Sequence, residues 1–332
     1  MYIPVHYPYF RPMSVHAFCS HIHDINFSDH SHLTGLLSQD KHTRIEGLCS
    51  EAAFAADVLA GNFPTTTSDF WFTRTHNSWA VTRIVTDALQ PLSPLDYRLL
   101  DGFATRIPVS IAWFSYAAAS FYGFLHHAGH RYPDGVEGMG HQLVPVPNPV
   151  IAPPDARDPV RLRKACAYLA SHGLLRASAV RRLFANCWLG RAVWDIDAFT
   201  ITPTGKVVAL EVKQKFPTAR GTFGLNQGQE QLFRFLNSLG MPVIHVILLK
   251  PVSDSAIHAT DLLTLPQYTA HTQWLYTRFV PSRLQHAVTA APAYTSIFGT
   301  GQLSYSHIPR HHFSTLKPFG IPTPGIAQTL LA

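Results

Sequence analysis

Trp194–Lys215, WDIDAFTITPTGKVVALEVKQK, is the stretch whose reading decides the fold. Two apolar runs flank Pro203-Thr204-Gly205-Lys206, a composition suited to a hairpin loop. Asp195-Ile-Asp197 and Glu211-Val-Lys213 alternate with period 2, so each pair of charges shares one face of its strand. With Pro203–Gly205 as the loop, Thr202 faces Lys206, Asp197 lies opposite Glu211, and Asp195 lies opposite Lys213. A different loop would shift this register by one residue.

Facing carboxylates repel one another across a ladder. On a polar hairpin, Lys213 and solvent would neutralise them, and the group would be a satisfied surface cluster. Here the strands are apolar on both faces: Ile196, Ala198, Phe199 and Ile201, then Val207, Val208, Ala209, Leu210 and Val212. Strands of that kind are covered on both sides. Charges at the end of a buried hairpin call for a counter-ion, and a hard divalent cation takes carboxylate oxygens and water.

The chain has 332 residues, enough for one large domain or two ordinary ones. Hydrophobic residues make up 46% and aromatics 12%, enough for a packed core and unlike a disordered chain. The net charge of +6 is unevenly spread: Asp155–Arg220 holds twelve Lys and Arg against five Asp and Glu, and the rest holds fourteen against fifteen. The positive excess therefore surrounds the hairpin, as a polyanionic partner such as nucleic acid would need, although a solvated helix face gives the same pattern. Cys19, Cys49, Cys166 and Cys187 are widely spaced with no CxxC, which suits free thiols in a reducing, cytoplasmic compartment. No basic segment followed by an apolar run opens the chain, so no secretory signal is expected. Ile107–Leu125 carries no charge and is long enough to span a bilayer, but its Ser, Ala and Tyr content favours a buried core helix.

Residues 1–45 are rich in His, Pro and aromatics. His21, His23, Asp24, His30 and His32 have metal-ligand chemistry, but 20 histidines in the chain make short pairs commonplace. Gly47–Ala60 reads as a helix with Ser50 as its N-cap and Gly61-Asn62 as its stop. Phe70–Val85 reads as strand and Pro94–Arg106 as helix. Gly129–Asp155, rich in Gly and Pro, is the best domain boundary. Pro159–His172, entered through Asp158, and Ala177–Cys187 read as basic helices. After the hairpin, Phe216–Gly224 reads as a loop, Leu225–Leu239 as a helix bearing Gln227, Gln229 and Gln231, and Met241–Lys250 as an apolar strand. The result is an α/β pattern around a mixed sheet. It divides into a 1–150 N-terminal region, a 151–255 core and a 256–332 Pro- and aromatic-rich extension with no assignable chemistry.

Asp197, then Glu211-Val-Lys213 on the next strand, then a glutamine-bearing helix and the strand IHVILLK resemble the PD-(D/E)XK nuclease superfamily. That superfamily includes restriction endonucleases, Holliday-junction resolvases and phage-type exonucleases. The resemblance covers about Trp194 to Lys250. It implies a restriction-endonuclease-like core, a central mixed sheet flanked by helices, with additions at both ends. It maps the first acid onto Asp197, the D/E-x-K onto Glu211 and Lys213, an extra acidic position onto Asp195, and the helical glutamine onto Gln227 or Gln229. Many members carry a glutamate on a preceding helix. The basic helices have none, so that role falls to Glu51, about 145 residues upstream, or to nothing.

The residue types fit phosphodiester hydrolysis in their own right. Mg²⁺, or Mn²⁺ in its place, held by Asp197, Glu211 and the Val212 carbonyl would acidify a water and polarise the phosphate. Lys213 would stabilise charge in the transition state. Lys215, Arg220, Arg181 and Arg182 would hold the backbone of a nucleic acid, DNA foremost. The competing function is a catalytically silent nucleic-acid-binding protein of the same fold. A homodimer is left open, and no membrane partner is expected.

Overall fold

A computed structural model describes residues 22–63, 65–75, 78–86, 92–132, 140–146, 152, 156–190, 192–251, 257–290 and 302–331. Its first half contains α1 (His30–Leu37), α2 (His42–Phe54), β1 (Thr66–Thr67), β2 (Phe70–Thr75), β3 (Ser78–Val85), α3 (Pro94–Ala104), β4 (Val109–Ser115), β5 (Ser120–Leu125) and β6 (His141–Gln142). Then come α4 (Pro159–Ser171), α5 (Leu175–Phe184), β7 (Val193–Ile196), β8 (Ala198–Ile201), β9 (Val207–Lys215), β10 (Thr222–Asn226), α6 (Gln227–Ser238) and β11 (Val243–Leu249). The chain closes with α7 (Ala259–Thr264), α8 (Pro266–Thr269), β12 (Gln273–Arg278), β13 (Gln285–Ala290), β14 (Gln302–Pro309), β15 (Ser314–Pro318) and α9 (Ile326–Leu331).

The main sheet runs β1-β8-β9-β11-β12-β15, with only β9 and β11 parallel to each other. That parallel pair requires a crossover, and β10 with α6 supplies it. A second sheet runs β6-β5-β4-β3-β2-β7, and β10-β14-β13 forms a third. The molecule is thus α/β, with mixed sheets flanked by helices.

Strand β9 is buried on both faces, as its apolar sequence requires. Val208, Leu210 and Val212 pack with Leu48 and Cys49 of α2, Leu162 and Ala165 of α4, and Leu183 of α5. Val207 and Ala209 pack the other way, with Phe70 and Phe72 of β2, Phe103 of α3, and Leu232, Phe233 and Leu236 of α6. The hairpin turn is the expected one: Thr202 N–H donates to the Lys206 carbonyl at 2.9 Å, and Gly205 supplies the left-handed residue at φ +80°.

Several expectations need correction. Ile107–Leu125 is neither a buried helix nor a membrane span but the hairpin β4–β5. Strand β4 is interior to its sheet: Ile111 and Trp113 enter one core, Ala112 and Phe114 the other, so no polar alternation marks it. Among the described residues no helix is long and apolar enough to cross a membrane. Helix α2 starts at His42, so Ser50 is not its N-cap; Ser50 is buried within it and donates to the Glu46 carbonyl at 3.4 Å. Residues 222–226 are strand β10, and the helix starts at Gln227, capped by Asn226. Segments 1–150, 151–255 and 256–332 share sheets, because β1, β12 and β15 extend the hairpin's own sheet. Cys49 and Cys166 are free and buried, whereas Cys187 is disulfide-bonded and departs from the all-free expectation. Cys19, His21 and most of Gly129–Asp155 lie outside the described residues.

The last strand is tied to α2 through Asp57, in the π-helical turn Ala55–Leu59 that continues that helix. Lys317 of β15 donates to Asp57 Oδ1 at 2.6 Å and to its carbonyl at 2.9 Å, and Trp274 Nε1 donates to Oδ2 at 2.7 Å. Lys317 is only 2% exposed, so Lys317→Met leaves a largely buried carboxylate without its counter-charge. We expect a loss of about 3–5 kcal/mol, read from the urea midpoint. An unchanged midpoint would show that the pair does not anchor the C-terminal strand.

Candidate active site

The ladder between β8 and β9 runs from Ile201↔Val207 to Ala198↔Leu210, the register expected from the turn. It stops there. Strand β7 departs to the second sheet and pairs with β2, Trp71↔Asp195 and Phe70↔Ile196. Asp195 is therefore not opposite Lys213, as the continued hairpin would have it. The chain changes sheets at Asp197, and the Asp197 carboxylate takes over from the ladder: Val212 N–H donates to its Oδ2 at 2.5 Å. A strand residue directs its N–H and C=O to the same edge. The Val212 carbonyl consequently points to the side occupied by Asp197.

Asp197, Glu211 and Lys213 meet at this corner. Lys213 Nζ lies 2.6 Å from Glu211 Oε1 and 3.7 Å from Asp197 Oδ2. Gln229, on the first turn of α6, donates to Glu211 Oε1 at 2.7 Å. Gln227 is exposed, so of the two glutamines it is Gln229 that joins the site. The same turn is held against β7 by Gly228, where any Cβ would collide with the Trp194 indole. Glu51 arrives from α2, which packs on the other face of β9, and its carboxyl stands close enough to Asp197 for the two charges to act on each other. The upstream helical glutamate is thus part of the cluster, despite the long separation in sequence. Asp195 stands far enough off to leave the direct contacts, yet its charge acts on Glu51, Asp197, Glu211 and Lys213.

The electrostatics follow from crowding carboxylates where water is scarce. Burial lifts Asp197 to about 6, against the pull of Lys213. Burial and then the Asp197 charge lift Glu211 to about 8. Burial, Asp197 and Asp195 hold Glu51 well above the ordinary range. Burial alone would push Lys213 down, but Asp197 and Glu211 override it and hold the ammonium well above its usual value. Burial and crowding thus favour the neutral form of the acids, while their charge favours the charged form of the one lysine.

Asp197 Oδ1 and Glu211 Oε2 are buried and find no donor among the described residues. Bare carboxylate oxygens beside a backbone carbonyl are the donors a hard cation takes. Among the described residues no three His, Cys, Asp or Glu side chains form a ready-made metal cage. Lys213 pairs with Glu211 and Asp197 instead. The donor types fit a hard cation, and the arrangement is closed around its own lysine.

The four basic residues assigned to a nucleic-acid backbone divide. Arg220 is exposed on the turn between β9 and β10. Lys215 is partly buried and donates to the Gly224 carbonyl. Arg181 and Arg182 are committed inside the molecule, Arg181 to Asp69 at 2.5 Å and Arg182 to Asp40 at 2.8 Å. Those pairs span 112 and 142 residues, so no local pattern announces them. One residue passed over in the sequence is His245, which is paired with Glu211 in the β9–β11 ladder and buried. Its signal was a single polar residue in an otherwise apolar strand. Among the described residues His30, His32 and Asp24 form no metal-binding group.

Removing the Gln229 side chain frees Glu211 to rotate. We expect Gln229→Ala to cost about 1 kcal/mol of stability, read from the urea midpoint. An unchanged midpoint would show that Glu211 needs no orienting partner. Comparison with known proteins brings no match for the chain: no family model, no curated protein and no solved structure.

Proposed function

We propose that the chain is a metal-dependent nuclease that hydrolyses phosphodiester bonds, in DNA foremost, on a core of restriction-endonuclease-like kind. One observation carries this reading. A buried hairpin corner gathers Asp197, Glu211, Lys213, Gln229 and Glu51, and leaves one oxygen bare on each of the first two acids. Further support comes from the order of parts: an antiparallel hairpin, the crossover helix α6 and the parallel strand β11.

Asp197, Glu211 and the Val212 carbonyl would hold Mg²⁺, or Mn²⁺, with Glu51 and Asp195 adding negative charge around it. Such an ion supplies a water of lowered pKa and polarises the phosphate. The protein's own groups do the rest. Gln229 fixes the rotamer of Glu211, and Asp197 is fixed by the Val212 N–H. Lys213 offers a permanent positive charge to the phosphate oxygens as negative charge builds on them.

The closed state of the acids, with Lys213 against Glu211, also favours a second reading: a catalytically silent nucleic-acid-binding protein of the same fold. Incubation with linear, circular, branched and single-stranded DNA, and with RNA, in Mg²⁺ and in EDTA separates the two. A nuclease degrades at least one of these in Mg²⁺ and none in EDTA. Binding without degradation in any metal supports the silent reading.

A further inference from the structure

Beyond the acidic corner, strand β9 continues to Lys215, and the small β10-β14-β13 sheet closes over that end. Phe223 and Ile308 of this sheet, with Phe313 just beyond it, pack on Ile247 and Leu275 of the main sheet. Cations collect in the gap. Lys215 Nζ donates to the Gly224 carbonyl, and Gly224 is the ladder partner of His307. His307 Nδ1 pairs with Thr222 Oγ1 at 3.1 Å, and Thr222 Oγ1 with Thr218 Oγ1 at 2.7 Å. Arg220 stands on the turn between those two threonines, close enough for its charge to act on His307.

Like charges gathered in a half-dry gap are unfavourable without an anion. Burial and Lys213 push Lys215 down to about 8, and burial, Lys215 and Arg220 push His307 down. His245, on the same face of the main sheet as Glu211 and Lys215, is held neutral by burial and the two lysines. It is 1% exposed, and neither ring nitrogen completes a hydrogen bond, although the Glu211 backbone is close by. No carboxylate is salt-bridged to Lys215, Arg220 or His307 among the described residues. The gap begins two residues along β9 from Lys213, on the same face of the strand.

We propose that Lys215, Arg220 and His307 form a second anion subsite, which holds the phosphate adjoining the one under attack. The β10–β14 sheet is then the wall along which the substrate backbone runs, and His307 is a substrate contact. This inference rests on the nuclease reading. It adds the direction in which the chain leaves the acidic corner.

The test is binding in EDTA, where no turnover occurs, of a fluorescent DNA oligonucleotide at pH 7 over a series of salt concentrations. Arg220→Ala changes an exposed turn residue and serves as the fold-safe arm. Lys215→Gln retains a donor for the Gly224 carbonyl, and circular dichroism checks its fold. We expect Arg220→Ala and Lys215→Gln each to weaken binding several-fold and to flatten the log–log salt slope by about 0.9, the signature of one lost phosphate contact. His307→Gln is expected to weaken binding. An oligonucleotide with one neutral methylphosphonate linkage beside the cleavage position should bind wild type less well and Lys215→Gln no worse than the unmodified strand. If all three variants bind as wild type does, with the same slope, while wild type still cleaves DNA, the subsite is wrong and the nuclease reading stands. If wild type neither binds nor cleaves, both fall.

Discussion

Glu211→Gln is expected to abolish cleavage and, at the same time, to make the metal-free protein more stable. Glu211 is 1% exposed, its carboxyl is lifted to about 8, and one of its oxygens has no donor. Glutamine keeps the size, keeps an oxygen to accept from Lys213 and Gln229, and removes a charge that burial opposes. The pH dependence has a definite sign. A carboxyl whose folded value is raised binds its proton more tightly in the folded state. It leaves stability untouched below its unfolded value near 4.5 and subtracts from it as pH rises toward about 8. The stability gain of Glu211→Gln over wild type should therefore be small at pH 5, widen up to about pH 8 and then level off. Urea midpoints of the two proteins across that range measure it; the shifted histidines are common to both and cancel. Activity should be lost, since Glu211 is proposed as a direct metal ligand. A variant that is both active and no more stable would remove Glu211 from the account.

Lys213→Met is expected to separate metal binding from turnover. Lys213 is the competing cation of the corner, 2.6 Å from Glu211 and 3.7 Å from Asp197. Taking away a unit charge at such distances is a matter of several kcal/mol near a protein surface, so affinity for Mn²⁺ should rise by about tenfold or more. Turnover should fall by about 10²–10³, the usual cost of one preorganised donor to a developing charge. Without metal the variant should also unfold more easily, because the acids lose their counter-charge. Wild-type turnover in this variant would mean that Lys213 only neutralises its neighbours. A loss of metal affinity would mean that it supports the ligands.

How much of this was legible in the sequence depends on how local the cause was. The hairpin register was readable because turn chemistry and period 2 act over about twenty residues, and both held from Ala198 to Leu210. Its extension to Asp195 failed because β7 pairs with β2, a partner more than a hundred residues away. Glu51 was readable only as the one candidate left by elimination, since α2 meets β9 through packing that leaves no periodic trace. Ile107–Leu125 misled because a strand buried on both faces has the same apolar composition as a buried helix. Strands β12 and β15 escaped notice because their register is set by β11 and by each other, not by any turn between them. Arg181 and Arg182 looked like surface cations because Asp69 and Asp40 lie far off in the chain.

The central proposal is that the corner formed by Asp197 and Glu211 is a divalent-cation site. It can be tested without knowing the substrate. Mn²⁺ binding, followed by electron paramagnetic resonance at pH 8 on wild type and on Glu211→Gln, reads it directly. The expected result is saturable binding to wild type that is weakened at least a hundredfold in the variant, with circular dichroism unchanged. Equal binding by the two proteins, or no binding by wild type, would contradict it.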